Sequence, residues 1–269
     1  MPMVVGIIVR KIKDKIYADA GRFDLRLNDR VIVETEHGVE VGVVCEKEKN
    51  LQKGKDPIGK IFRKVTQEDK KKIADNEERN ARAYKTVAQK VNDHKLDMKL
   101  TCVQYTFDRS KLFIYYTSET RVDFRELIKD LGHILKTRIQ MVQIGVRDES
   151  KIIGGIGTCG QVLCCQSFLR DFSSVTIDMA KDQELSLNTA KLSGLCGRLM
   201  CCIAYENDTY KNIKKDLPEL GSVISTPEGK AKLAAIDSIR ERVTADFGNK
   251  SFKIFTIKQI KDANEKGNK

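Results

Sequence analysis

Short apolar runs separated by turn residues occupy the first part of the chain. Val4–Val9 is nearly all apolar, and residues 30–34 and 39–44 are two further apolar runs on either side of a turn that contains Gly38. Runs of this length, joined by such a turn, are typical of β-strands and of a hairpin. Because several short strands follow one another so closely, residues 1–60 are predicted to form a small β-barrel.

A similar pattern returns towards the end of the sequence. Between residues 221 and 256, short stretches rich in β-branched and aromatic residues alternate with turns, one of which contains Pro227 and Gly229. Residues 216–269 are therefore predicted to form a second small β-barrel, followed by a polar tail.

The hydrophobic pattern takes a helical period in the middle of the chain. Residues 66–94 place apolar side chains on one stripe, and Thr66 followed by Asp69 is typical of a capping box at the start of a helix. Two strands, a second amphipathic helix and another strand come next, at residues 99–107, 112–116, 123–135 and 138–146. With one more strand near residues 59–64, this order predicts a ferredoxin-like α/β module over residues 61–150. The expected fold class is α+β.

An internal repeat carries the candidate chemistry. Residues 157–165 read GTCGQVLCC and residues 194–202 read GLCGRLMCC, so both follow the pattern G-x-C-G-x-x-x-C-C. Six of the eight cysteines lie in these two nonapeptides. Residues 151–215 are predicted to form a cysteine-rich metal-binding segment. The predicted metal and cofactor ligands are Cys159, Cys164, Cys165, Cys196, Cys201 and Cys202.

The residue types in the repeat favour a metal cofactor with sulfur ligands. Thiolates bind soft metal ions and iron–sulfur clusters, usually with four ligands at one site. The glycine after the first cysteine permits a turn with positive φ, and the apolar pairs Val162-Leu163 and Leu199-Met200 are expected to shield the site from water. Adjacent cysteines point in different directions and the short hooks of a zinc ribbon are absent. An iron–sulfur cluster is favoured; zinc, thiol–disulfide chemistry and buried structural thiols remain open.

Little else in the sequence indicates chemistry. Cys45 and Cys102 each lie in an apolar strand pattern, which is typical of core packing. The three histidines are distant in sequence from the cysteine motifs, and the sequence contains no phosphate-binding loop, nucleophile elbow or zinc-protease motif. We therefore expect a protein without catalytic residues, not an enzyme.

Composition and charge bear on partners and location. The 269 residues are 41% hydrophobic and 32% charged, with a net charge of +11 that is spread along the chain. An even excess is typical of a solvated basic surface, and RNA contact is a weaker expectation. The apolar run Val4–Val9 is too short for a signal peptide or a membrane span. We expect a cytoplasmic protein without membrane insertion, in which disulfides are disfavoured.

Two stretches of the sequence resemble the signature of the bacterial YaaT/RicT family of stage 0 sporulation proteins. They read GGIGTCGQVLCCQSFL and VTIDMAKDQELSLNTAKLSGLCGRLMCC. That family shares the C-terminal domain of a yeast polymerase-suppressor protein. The resemblance extends from VVGIIVRK to the predicted second barrel, and it implies that the six motif cysteines correspond to the family's cluster ligands.

The resemblance also implies a function. Members of the family are similar to scaffold subunits that join two small helical proteins in a regulatory complex holding 4Fe–4S clusters. That complex supports mRNA maturation by the endoribonuclease RNase Y and affects sporulation, competence and biofilm formation. We therefore expect a non-catalytic regulatory scaffold that binds 4Fe–4S clusters. The alternative is a zinc-stabilised RNA-binding module without a redox role. A thiol–disulfide enzyme comes third, because the sequence has no C-x-x-C.

Overall fold

The computed structural model describes residues 4–9, 11–12, 14–49, 59–215, 219–248 and 251–267. Strands and helices occur together within these ranges, which confirms the predicted mixture of α and β structure. The chain divides into two compact units, Met1–Ser167 and Phe168–Lys269. No helix in the described ranges is long and apolar enough to cross a membrane.

Five strands at the start of the first unit form a closed barrel. In chain order they are β1 (Val4–Val9), β2 (Asp14–Asp19), β3 (Arg30–Thr35), β4 (Gly38–Lys49) and β5 (Gly59–Lys64). The order around the barrel is β1-β2-β5-β3-β4, and β4 also pairs antiparallel with β1. Inward-pointing side chains make a buried apolar core that includes Val5, Ile7, Val9, Val31, Val33 and Ile61.

The second sheet of this unit has three strands and two helices. The strands are β6 (Lys99–Tyr105), β7 (Lys111–Thr117) and β8 (Arg138–Gln143), and the helices are α1 (Gln67–Asp93) and α2 (Arg125–Leu135). β7 lies in the middle, antiparallel to β6 and parallel to β8. The apolar stripes of the helices and one face of the sheet share a core that includes Ala83, Val87, Leu112, Ile114, Leu127 and Leu131.

The ferredoxin-like arrangement predicted for residues 61–150 is wrong at its first strand. β5 pairs with β2 and β3 in the barrel, and β7 pairs directly with β8, which leaves no place between them for another strand. The physical reason is that the buried Ile61 side chain belongs to the barrel core and both edges of β5 already have partners there.

The predicted capping box secures the start of α1. The Thr66 hydroxyl accepts a hydrogen bond from the Asp69 backbone N–H (3.3 Å), and the Asp69 carboxylate accepts one from the Thr66 backbone N–H (2.8 Å). The Arg63 guanidinium at the end of β5 donates to the same carboxylate (Nη2 to Oδ1, 2.9 Å). Asp69, which is buried, thereby links the barrel to the helix.

In the described part of the chain, five helices lie wholly or partly in the cysteine-rich region, and all but one are short. The first unit ends with α3 (Val146–Ile153) and α4 (Cys164–Ser167). The second unit begins with α5 (Ile177–Asp182), α6 (Thr189–Leu192) and α7 (Cys201–Lys214). A small core in the second unit contains Ala180, Leu192 and Ile203.

An open antiparallel sheet and a helix complete the second unit. They are β9 (Val223–Thr226), β10 (Gly229–Asp237), β11 (Arg242–Asp246), β12 (Phe252–Thr256) and α8 (Ile257–Gly267). The sheet order is β12-β11-β10-β9, so the predicted second barrel is wrong. The physical reason is that Ile257 and Ile260 of α8 fill the core that a barrel would build from strands alone. The predicted polar tail is helical as far as Gly267, and the predicted boundary at residue 216 lies outside the described residues.

β5 approaches β3 so closely at Gly59 that one methyl group added there is expected to destabilise the protein. A Cβ at Gly59 would lie 2.4 Å from the backbone oxygen of Glu34, so Gly59→Ala is expected to lower the free energy of unfolding by about 2–3 kcal/mol. Gly132→Ala, inside α2 with open space around it, is the matched control. It is expected to raise that free energy by about 0.5–1 kcal/mol. Denaturant unfolding measures both, and equal effects would contradict the close packing of β5.

Asp69 is expected to make stability depend on pH in acid. The Arg63 guanidinium, assisted by Thr66, holds the pKa of the Asp69 carboxyl well below its usual range. A carboxyl whose pKa falls on folding stabilises the protein above its unfolded pKa of about 4, and that contribution is lost as the pH falls. Asp69→Asn should therefore cost about 2 kcal/mol at neutral pH and progressively less in acid, as measured by denaturant unfolding.

The control for this change is Glu68→Gln, at an exposed position one residue away in the same helical turn. It removes a charge from the helix start without removing a cap, so its cost should stay within about 0.5 kcal/mol. A cost of Asp69→Asn that does not shrink in acid would show that charge on Asp69 is not what stabilises the helix start.

Candidate metal centre

A tight loop carries the first cysteine motif. The Gly157 N–H donates to the Gln161 carbonyl (2.8 Å), and the Gly160 N–H donates to the Gly157 carbonyl (2.9 Å). An isolated antiparallel bridge closes the loop, between Ile156 and Val162. The first cysteine of the motif lies in the turn that these bonds form.

The second cysteine motif folds into a loop with the same hydrogen bonds. The Gly194 N–H donates to the Arg198 carbonyl (2.8 Å), and the Gly197 N–H donates to the Gly194 carbonyl (2.9 Å). The closing bridge is between Ser193 and Leu199. The repeat in the sequence is therefore a repeat of backbone structure, once in each compact unit.

The glycine after the first cysteine has the left-handed backbone predicted from the sequence. Its φ is +80° at Gly160 and +73° at Gly197. A Cβ added at either position would meet nothing within 4 Å. The backbone conformation, and not a lack of space, is therefore the reason that these positions favour glycine.

The first cysteine of each motif folds back towards the first glycine of that motif. A Cβ added at Gly157 would lie 3.5 Å from the Cys159 Sγ, and one added at Gly194 would lie 3.8 Å from the Cys196 Sγ. Cys159 is exposed and Cys196 is half-buried. Each loop therefore holds one sulfur close to its own backbone and at least partly open to solvent.

The cysteine pair of each motif begins a helix. Cys164 and Cys165 are the first two residues of α4, and Cys201 and Cys202 are the first two of α7. Neighbouring positions on a helix face different directions, and accordingly Cys165 is buried whereas Cys164 is half-buried. The two cysteines of the first pair thus have different surroundings, whereas Cys201 and Cys202 are both half-buried.

These thiols do not form a ready-made metal site. Among the residues that the structure describes, no group of three or more His, Cys, Asp and Glu side chains is placed to hold a metal ion. None of the eight cysteines, all of which lie in the described ranges, forms a disulfide bond. The donor atoms suit a soft metal, but neither loop assembles a complete ligand set, so the ligand role of the six cysteines stays a prediction.

The apolar residues between the cysteines have different surroundings in the two loops. Leu199 and Met200 are partly buried and pack against the core of the second unit, and their shielding of a site stays a prediction. Val162 is exposed, and so are its bridge partner Ile156 and nearby Ile153 at the end of α3. The predicted shielding is therefore wrong for Val162, because no described part of its unit covers it.

Two glutamines brace the loops and were not anticipated from the sequence. The Gln166 side-chain oxygen accepts a hydrogen bond from the Gly155 N–H (3.4 Å). The buried Gln183 amide donates to the Ile203 carbonyl (2.6 Å) in the first turn of α7. Gln166 directly follows a cysteine pair, which is its only sequence signal. Nothing in the sequence around Gln183 indicates its role, because the residue that it contacts lies 20 positions further along the chain.

The two cysteines outside the repeat lie in strands. Cys102 is buried against Phe113 and Tyr115, which confirms the predicted core packing, and burial raises the pKa of its thiol to about 11 despite the opposing effect of the Lys11 cation. Cys45 lies in β4 and is half-buried. A thiol that is buried and protonated reacts slowly and binds metal poorly, so Cys102 is a structural residue.

Comparison with known proteins places two regions of the chain in described families. Residues 59–144 match the PSP1 C-terminal conserved region, and residues 174–217 match the third domain of PSP1-like proteins. The second match contains the second cysteine loop. No solved structure gives a significant match.

Relatives are found in bacteria and in yeasts. The stage 0 sporulation protein YaaT of Bacillus subtilis (strain 168) is 48% identical over 242 residues, which is 89% of this chain and 88% of that protein. An uncharacterized protein of Schizosaccharomyces pombe is 35% identical over 85 residues (32% of this chain and 11% of that protein). Protein PSP1 of Saccharomyces cerevisiae is 48% identical over 50 residues (19% and 6%). Since the bacterial similarity covers nearly all of both sequences, the chain belongs to the family of stage 0 sporulation protein YaaT.

Proposed function

We propose that the protein is a non-catalytic regulatory scaffold of the cytoplasm that binds iron–sulfur clusters through its two cysteine loops. The observation that carries the proposal is that both loops share one backbone geometry and that each presents three cysteines. The name of the bacterial relative supports a part in sporulation. The proposal assigns no catalytic residue.

The loops supply the chemistry that such a cofactor needs. The left-handed glycine beside the first cysteine lets the chain turn tightly while the sulfur stays close to the first glycine of its motif, and backbone N–H groups exposed by such a turn would stabilise a thiolate. A bound iron–sulfur cluster would supply a redox-active group, so that the state of the loops would depend on the redox state of the cell. Cys159, Cys196 and the two cysteine pairs would hold it.

The incomplete ligand set within each loop supports a scaffold in preference to a self-contained metalloprotein. Iron–sulfur clusters use four protein ligands, and a loop offers three cysteines that do not converge among the described residues. Ligation would therefore be completed by thiolates from outside that loop, including those of partner chains. Binding of the cluster would then stabilise the loops further and promote assembly at the same time.

The partners proposed from the family resemblance are two small helical proteins, with RNase Y as the enzyme whose mRNA maturation the complex supports. The exposed side chains Ile153, Ile156 and Val162 beside the first loop support a protein contact there, because exposed apolar groups at one place commonly mark an interaction surface. Competence and biofilm formation are the proposed outcomes besides sporulation.

Metal analysis of protein purified without oxygen tests the cofactor. We expect iron and sulfide in similar amounts and a broad visible absorbance. Cys159→Ser and Cys196→Ser should each lose most of the iron, because each removes the first sulfur of one loop. Cys45→Ser, a half-buried cysteine outside both loops, is the control and should keep the iron.

Other outcomes of this measurement are also decisive. A colourless protein with stoichiometric zinc, lost in the same two variants, would replace the proposal by the zinc-stabilised RNA-binding module. If the isolated chain holds no metal, the analysis is repeated on the complex purified with its partner proteins. A metal-free complex would refute metal binding by the loops.

The glycine geometry gives a second test of the same loops. Gly197→Ala forces a left-handed backbone on an L-residue and should cost about 1–2 kcal/mol of local stability, which we expect to lower the bound metal per chain. Gly194→Ala is the matched control in the same loop, because the new methyl group makes only ordinary contacts, at 3.7 Å or more. Iron or zinc content per chain is the readout. Equal losses in both variants would show that left-handed backbone at Gly197 is not required.

A further inference from the structure

The C-terminal sheet exposes large apolar side chains on the face that α8 does not cover. Its other face is buried, with Ile224, Leu233, Val243 and Phe255 packed against α8. Because side chains alternate along a strand, the neighbours of these residues point the opposite way. Phe252 is 58% exposed, Ile254 64% and Val223 63%.

The strand register places aromatic, aliphatic and cationic groups in rows across this outer face. Phe252 is opposite Asp246, Asp246 is opposite Lys232, and Lys232 is opposite Val223. Directly opposed residues of antiparallel strands lie on the same face. Two residues further along their strands, Ile254 follows Phe252 on β12 and Lys230 precedes Lys232 on β10, and both lie on the same outer face.

The outer face has a small excess of positive charge, because its outward positions on β10 and β11 carry Lys230, Lys232 and Arg242 against Asp237 and Asp246. Lys230 and Lys232 are exposed and form no ion pair among the described residues. Asp246 is the acidic residue directly opposite Lys232. Its carboxylate accepts a hydrogen bond from the Gly248 N–H (2.8 Å), just beyond the C-terminal end of β11. The outer face therefore presents two unneutralised ammonium groups beside apolar side chains.

This combination matches the chemistry of single-stranded RNA. Unpaired bases stack on exposed aromatic and aliphatic side chains, and lysines beside them neutralise phosphates. A protein partner is a poorer match, because lysine is depleted from the buried centre of protein interfaces. The net charge of the whole chain, +11, has the sign that attracts a polyanion.

We propose that the outer face of the C-terminal sheet binds single-stranded RNA, with a base on Phe252 and phosphates at Lys230 and Lys232. The inference does not rest on the cysteine loops or on any metal. RNA affinity should therefore be the same for metal-loaded and metal-free protein.

Fluorescence anisotropy of the full chain with a labelled single-stranded RNA of mixed sequence, about 12 nucleotides long, tests the proposal. Reversal of both lysines to glutamate should weaken binding at least about tenfold and flatten its dependence on salt. Phe252→Ala should weaken it about 5- to 100-fold, and Phe252→Leu, which keeps an apolar side chain, should weaken it less. Double-stranded RNA of the same sequence should bind more weakly, because its bases are already stacked.

The matched control is Lys253→Ala. Lys253 is next to Phe252 in the same strand, but it points to the other face and pairs with Glu228. Its loss removes one positive charge without changing the outer face, and it should leave RNA affinity within about twofold. The unfolding midpoint of every variant is measured alongside, and the leucine variant remains informative if the alanine variant is destabilised.

Several results would overturn the proposal. One is no binding of RNA by the unchanged protein at low salt. Another is a loss of affinity in Lys253→Ala as large as that in the lysine reversals. A third is a change in molecular mass in solution on Phe252→Ala with RNA affinity unchanged, which would make the outer face a contact between copies of the chain. Equal affinity for double-stranded RNA would exclude stacking on Phe252.

Discussion

The pairing of β5 between β2 and β3 is the constraint on which the first unit depends. It closes the barrel, and it removes from the second sheet the strand that a ferredoxin-like arrangement requires. Because only one residue separates the end of β5 from the capping box of α1, its Arg63 reaches the buried Asp69 carboxylate at the start of that helix. One strand thus determines how the barrel closes, where the helix begins and why the neighbouring sheet has three strands.

Within each cysteine loop the corresponding constraint is local. Two backbone hydrogen bonds and a left-handed glycine define the loop, and none of these depends on the side chains that differ between the repeats, such as Gln161 and Arg198. The same sequence pattern therefore forms the same loop in two units with different cores. A loop defined by its backbone holds its sulfur in place before any ligand is bound, which reduces the ordering cost of ligation.

The two proposals concern different parts of the molecule and different chemistry. The cysteine loops present soft sulfur ligands, whereas the outer face of the C-terminal sheet presents an aromatic ring and ammonium groups. Both rest on a side chain that the fold leaves accessible although its residue type is usually buried, namely Cys159 in the first loop and Phe252 on the sheet. A scaffold that assembles with an mRNA-processing enzyme and also contacts RNA would bring that enzyme to its substrate.

The sequence by itself determined what depends on neighbouring residues. The repeat, the left-handed glycines, the capping box of Thr66 and Asp69, and the burial of Cys102 all follow from local pattern and composition. Tertiary structure decided which partner each strand takes and what covers each face. The chain continues as α8 after β12 and fills the core of the last sheet, Val162 stays exposed, and β5 belongs to the barrel. These outcomes depend on contacts between residues that are distant in sequence, and hydrophobic periodicity carries no information about which distant element a face will meet.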